Sequence, residues 1–168
     1  IPLETNRRIA NHSWVGGGIN DSSGNFSPTG TSTFLRLADW VSDVDELIQI
    51  YGIQNNATDN PFFATALNGI VAGVTDATHA DGVIALDSIY VAGRPSIHAV
   101  TPMSYTSDSV GIVSSAIALL IEAAQQNPSW SDASTTNRSN NLIQNAERTE
   151  TIKAALMAGA SRVTNNTT

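Results

Sequence analysis

Thr106-Ser107-Asp108-Ser109 stand directly before the most apolar segment of the chain, Val110 to Gln126. Small hydroxyl and carboxylate residues at that place support two chemistries. They can cap a helix, accepting hydrogen bonds from the free N–H groups of its first turn. Alternatively, one serine is a nucleophile at the positive end of the helix dipole, where the same N–H groups can hold a developing oxyanion. The chain contains no cysteine, which removes disulfides, thiolate zinc sites and thiol nucleophiles together. Serine is therefore the nucleophile to weigh.

Other candidates carry less. Gly16-Gly17-Gly18 follows a strand-like stretch, but Ile19-Asn20-Asp21-Ser22-Ser23 comes next and no helix does. The run thus lacks the geometry of a dinucleotide loop and reads as a flexible edge on which something extended could lie. His12, His79 and His98 have no metal-ligand spacing, so each reads as a packed or exposed imidazole. Asp39, Asp43, Asp45 and Glu46 could hold a calcium ion, with a solvated helix face as the plainer reading. Asn-x-Ser/Thr matches occur at Asn11, Asn25, Asn56, Asn137, Asn165 and Asn166, as expected by chance in a chain so rich in these residues.

The elements that must position these residues follow from periodicity. Arg8 to Val15 is strand-like, and Ile19 to Thr33 is a turn-rich surface loop. Phe34, Leu37, Ala38 and Val41 recur at helical spacing with Arg36, Asp39 and Asp43 on the other side, predicting a helix over 32–42 capped by Ser32. Asp45 to Ile53 predicts a strand ending at Gln54-Asn55-Asn56. Gly69 to Thr75 predicts another, apolar on both faces and buried between layers. Val83 to Leu86 and Ile89 to Val91 are further short segments. Val110 to Gln126 is apolar almost all round, a core helix stopped by Pro128. The polar stretch Ser129 to Asn141 leads to an amphipathic helix from about Arg148 to Met157, closed by Gly159. Strands alternating with helices predict a single α/β domain with a largely parallel sheet.

Composition bounds the function. The 168 residues are 41% hydrophobic and 14% charged, enough for a core and unlike a disordered chain. Eight Lys plus Arg against fifteen Asp plus Glu give a net charge of −7. That balance argues against nucleic acid or an anionic membrane as partner. Low lysine and abundant Asn, Ser and Thr fit a secreted, periplasmic or extracellular protein.

Three segments in order resemble the C-terminal half of the catalytic domain of subtilisin-like serine proteases. Ile9-Ala10-Asn11-His12-Ser13-Trp14-Val15-Gly16-Gly17 resembles the family's strand Val-Ile-Asn-x-Ser-x-Gly-Gly, which implies that Ser13, Trp14, Val15, Gly16 and Gly17 bind the substrate backbone. Ile48 to Asn55 resembles the strand ending in Ala-Ala-Gly-Asn, whose Asn completes the oxyanion hole; that implies Asn55, with Asn56 as the alternative register. Tyr105-Thr106-Ser107-Asp108-Ser109-Val110-Gly111 is similar to Gly-Thr-Ser-Met-Ala-x-Pro, which implies that Ser107 is the nucleophile. Arg94-Pro95-Ser96-Ile97 is similar to Lys-Pro-Asp-Ile, and Ile152 to Met157 resembles the helix after the nucleophile helix. Tyr105, Gly111 and Ile112 depart from the family's glycine, proline and histidine.

The resemblance implies a three-layer α/β, subtilisin-like fold, of which residues 1–168 are a partial domain. It implies a serine endopeptidase acting on peptide or protein substrates, without a catalytic cofactor and with structural calcium left open. The family's triad Asp and His precede the Asn-x-Ser-x-Gly-Gly strand by many residues. They are expected from sequence outside this chain, for instance an N-terminal fragment bound to it, and the isolated chain is expected to be inactive. The competing expectations are a non-catalytic protease-like binding or assembly protein and a generic nucleotide-binding α/β domain.

Overall fold

The computed structural model describes residues 7–14, 18–53, 55, 62–75 and 97–161. Four short strands form one parallel sheet in the order β1 (Ile9–His12), β2 (Ile48–Gly52), β3 (Ile70–Val74) and β4 (Ala99–Thr101). Ile9 pairs with Ile48, Ile50 with Ile70, and Ala72 with Ala99. Every residue of β2 and β3 is buried, which requires cover on both faces of the sheet.

That cover comes from helices on opposite sides. α2 (Thr106–Gln126) and α3 (Thr149–Gly159) lie on one face, where Val110, Val113, Ile117, Ile121 and Ile152 pack against the even-numbered Ile48, Ile50, Ile70 and Ala72. α1 (Pro28–Asp45) and a 3-10 turn at Phe63–Thr65 lie on the other, where Leu35 packs with Tyr51, Phe62 and Ala66. Side chains alternate along a strand, so one set of five residues supplies both cores. The parallel α/β architecture predicted from the alternation of elements is present. α2 is long and apolar enough to cross a membrane, with a mean hydropathy of 1.5 over its most apolar window, and here it packs across all four strands.

Four expectations are corrected. α1 begins at Pro28, not near Ser32: Ser27 Oγ accepts from Gly30 N at 3.1 Å, and Pro28 occupies the first helical position, where its missing N–H costs nothing. Its faces also differ from those predicted, because Asp39 is buried with Ala38 whereas Phe34 and Leu37 are about 40% exposed. Asp45 and Glu46 belong to no strand. Asp45 ends α1, and Glu46 takes a left-handed conformation (φ 51°) that turns the chain into β2. α2 is not enclosed on all sides: Ile112 is 40% and Leu119 66% exposed.

The polar stretch after Pro128 is structured as well. It contains a 3-10 turn at Pro128–Trp130 and β5 (Ser134–Thr136), which pairs antiparallel with β6 (Leu142–Gln144). Asn137 is buried in the turn between them, its Oδ1 accepting from Ser139 N and Asn141 N, so it is no exposed glycosylation acceptor. The segments Val83 to Leu86 and Ile89 to Val91, the tripeptide Val15 to Gly17, and His79, Arg94 to Ser96 and Asn56 lie outside the described residues.

Candidate active site

The C-terminal ends of the parallel strands gather the residues singled out from sequence, as the topology of such sheets dictates. Ser13 follows β1, Asn55 follows β2, and α2 starts shortly after β4 with Thr106 and Ser107 in its first turn. Two segments 51 residues apart meet here. Asn55 Oδ1 accepts from Thr106 N at 3.0 Å and from Thr106 Oγ1 at 2.9 Å. A backbone N–H can only donate, so the amide oxygen is the atom that faces the helix, and the Nδ2 group is left as a donor.

This arrangement revises the capping expectation. The N-cap residue of α2 is Tyr105, and it makes no side-chain cap bond. None of the four polar residues 106–109 caps the helix from within; Asn55 caps it from across the sheet. Thr106 is fully buried, spending its hydroxyl on Asn55, and Ser109 Oγ donates to Gly73 O at 2.5 Å, tying α2 to the end of β3. Ser107 sits between these anchors, half-buried, with its N–H in a first turn where no helical carbonyl is available to it. Asp108 adds a carboxylate to the same turn, favourably placed on the helix dipole.

Ser13 closes the group from β1. Its hydroxyl lies 2.5 Å from Asn11 Oδ1 and 3.2 Å from Ser107 O. With one proton to give, it donates to one of the two at a time. Trp14, 51% exposed, stands edge-on to His12 with ring centroids 6.0 Å apart. The strand edge expected to continue through Val15, Gly16 and Gly17 lies outside the described residues. Thus the structure brings Ser13, Asn55 and Ser107 together, while Thr106 and Ser109, cap candidates in the sequence, instead tie α2 to Asn55 and to Gly73. Their signal was present: hydroxyls on either side of Ser107 that a lone cap would not need.

The described histidines have other roles. His98 Nδ1 accepts from Val71 N at 2.9 Å, which makes the imidazole a structural acceptor at the edge of β3. His12 stacks on Tyr51 at 4.8 Å, and burial lowers its pKa below the usual value, partly offset by a hydrogen bond with Gln49. Burial, reinforced by Asp39, pushes the Tyr51 phenol far up. Neither ring is bonded to Ser107.

Three of the four acidic residues are buried and paired, and only Asp43 lies on a solvated face. Asp39 Oδ1 accepts from Asn68 N at 2.7 Å. Asp45 is paired through both oxygens with the Arg138 guanidinium. Glu46 accepts from Arg148 Nε at 2.8 Å and from Thr149 N at 3.0 Å. Among the described residues no three acidic or imidazole side chains converge on a cation site. Compared with known protein families, characterised proteins and solved structures, the chain has no match.

Proposed function

We propose that this chain is part of the catalytic domain of a subtilisin-like serine endopeptidase of the secreted class, supplying the nucleophile and the oxyanion hole. One observation carries the reading: Asn55 is locked by its amide oxygen to Thr106, the residue before Ser107, so its Nδ2 donor is held beside a serine at a helix N-terminus. Ser107 Oγ attacks the carbonyl carbon of the scissile peptide bond. The C=O π electrons move onto oxygen, and Asn55 Nδ2 with the Ser107 N–H stabilise the resulting anion. The hydroxyl proton passes to an imidazole, which returns it to the leaving amine as the C–N bond breaks. That imidazole and its orienting carboxylate come from a part of the protein outside these motifs, and without them the chain has only residual activity. The finer topology of the family and the role of Ser13 to Gly17 as the substrate edge belong to the same proposal.

Fluorophosphonate labelling of the full-length protein tests it. Ser107 is expected to be the modified residue, and Ser107→Ala to abolish labelling and peptide hydrolysis. Labelling at another serine, or none beside a reactive control protease, overturns the reading. A second reading, a protease-like protein that binds and does not cleave, is favoured by Tyr105: a 60% exposed aromatic residue stands directly before Thr106-Ser107, where the family has glycine. It predicts peptide binding that survives Ser107→Ala unchanged in a protein that never reacts with the fluorophosphonate.

A further inference from the structure

The first turn of α2 presents an aromatic ring and a carboxylate on either side of Ser107. Tyr105 is the N-cap and Asp108 the third residue of the helix, the two positions whose side chains meet in a capping box. Here the box stays open. Tyr105 makes no side-chain cap bond, and the Asp108 carboxylate makes no hydrogen bond or ion pair among the described residues. Asp108 N donates to Tyr105 O at 3.2 Å, which holds the two residues side by side. Asp108 is exposed, Tyr105 is 60% exposed, and Ile112, one turn further along the same face, is 40% exposed. Ring, carboxylate and aliphatic chain thus form one open strip beside the serine.

A strip of that composition fits one kind of side chain. Lysine and arginine carry an apolar stem, which can lie along Tyr105 and Ile112, and a cation, which can meet Asp108. The face of the tyrosine ring attracts the same cation. A glutamate would meet a like charge. An aliphatic side chain would take water from the carboxylate and replace it with nothing. Segments 11–14, 74–75 and 99–109, described at this end of the sheet, hold no lysine or arginine, so nothing in them neutralises Asp108. The helix dipole offsets part of its charge, while the net charge of −7 adds a longer-range attraction for cationic peptides.

We propose, on the reading that Ser107 is the nucleophile, that Asp108 with Tyr105 selects peptides carrying lysine or arginine beside the bond presented to Ser107. Asp108 takes no part in breaking that bond and acts on the substrate side chain alone. Because the carboxylate is exposed, solvent screens the pair and the selection is modest. Lysine binds about threefold tighter than norleucine, which has a similar stem without the charge, and about tenfold tighter than glutamate.

Fluorescence anisotropy with the full-length Ser107→Ala protein, which cannot turn peptides over, tests it. Three labelled peptides of otherwise neutral sequence carry lysine, norleucine or glutamate at their centre. Lysine is expected to bind tightest at about 20 mM salt, with its advantage over norleucine fading near about 0.5 M. Adding Asp108→Asn is expected to remove that advantage, and Asp108→Lys to reverse the order of lysine and glutamate. The norleucine peptide should bind all three proteins alike, whereas loss of a merely structural group would weaken all three peptides together. Tyr105→Gly is expected to weaken the lysine peptide at least about twofold. Circular dichroism confirms that each variant is folded. Labelling of the protein with Ser107 intact by an uncharged fluorophosphonate separates this proposal from the reading beneath it. Labelling at Ser107 without a lysine preference overturns the selection and leaves the nucleophile standing. A lysine preference that follows Asp108 in a protein that never labels overturns the nucleophile and supports the selection as that of a binding cleft. An order of peptides indifferent to Asp108, or no binding of the lysine peptide, overturns the proposal.

Discussion

The amide of Asn55 gives its oxygen to the start of α2 and leaves its Nδ2 as a donor, so its structural role and the oxyanion role proposed for it can be separated by substitution. Asn55→Ala removes the acceptor for Thr106 N and is expected to cost about 1 kcal/mol in urea unfolding, the usual loss for a deleted helix cap. Asn55→Asp keeps the acceptor and adds a negative charge at the helix N-terminus, so its stability should stay near wild type. It no longer offers an N–H to an oxyanion. In the complete protein both variants are expected to lose about 10²-fold or more in fluorophosphonate labelling rate. His12 gives a pH signature at the same scale. Its pKa is lowered in the fold by burial, so between that value and about 6.5 the unfolded chain takes up a proton that the folded chain refuses. Its contribution is intact above about pH 6.5 and is lost as pH falls. Thermal melts from about pH 7 to 5 should show a shallower decline for His12→Phe, which keeps a ring against Tyr51 but does not titrate.

Elements meet where glycine permits it. A Cβ added to Gly52, the last residue of β2, would lie 3.1 Å from Thr106 Oγ1 and 3.3 Å from Val110 Cγ2. Gly52→Ala requires Thr106 and Val110 to give by a few tenths of an ångström just where Asn55 grips α2, with an expected loss of about 1 kcal/mol in urea unfolding and slower labelling of Ser107. Gly111, inside α2 with open space around it, is the contrast: Gly111→Ala should stabilise by up to about 1 kcal/mol. The same elements show what a sequence discloses. β3 was legible because continuous apolar residues leave a buried strand as the simplest reading, β2 because β-forming residues run up to the turn at Gln54-Asn55-Asn56, and α2 because its run is long. The face of α1 was not, since Asp39, Ser42 and Asp45 are buried only by virtue of partners at Asn68, Gln49 and Arg138. No local periodicity encodes those bonds. Its start was readable in Ser27-Pro28 but was submerged in a loop of similar composition. At the site, the residues alone pointed to a serine at the start of α2 and the resemblance to Asn55 and Ser107, while the hydrogen bonds that position them depend on how strand and helix pack.

Across the whole molecule, the corner between α1 and β2 holds the chain's two ends to its middle. Arg8, ahead of β1, donates to Glu46 O at 3.1 Å and to Glu147 O at 2.6 Å. Arg138, in the β5–β6 turn, pairs with Asp45 and lies 4.6 Å above the Trp40 ring. Glu46, with its side chain almost wholly buried, accepts from Arg148 and from the first N–H of α3. These contacts join residues up to 139 positions apart, so segments on either side of the sheet should unfold together. Glu46→Ala tests this. It leaves Thr149 N without its acceptor and Arg148 without its main partner, but Arg148 is partly exposed and can be hydrated, which keeps the cost nearer about 2 kcal/mol than the larger penalty of a fully buried broken pair. If the corner works as one clasp, urea transitions followed by far-ultraviolet circular dichroism and by the fluorescence of Trp14, Trp40 and Trp130 will shift together and still coincide. A variant in which the fluorescence transition splits from the helix signal would show instead that α3 and the β5–β6 hairpin melt as a separate unit, and that the sheet with α1 and α2 stands without them.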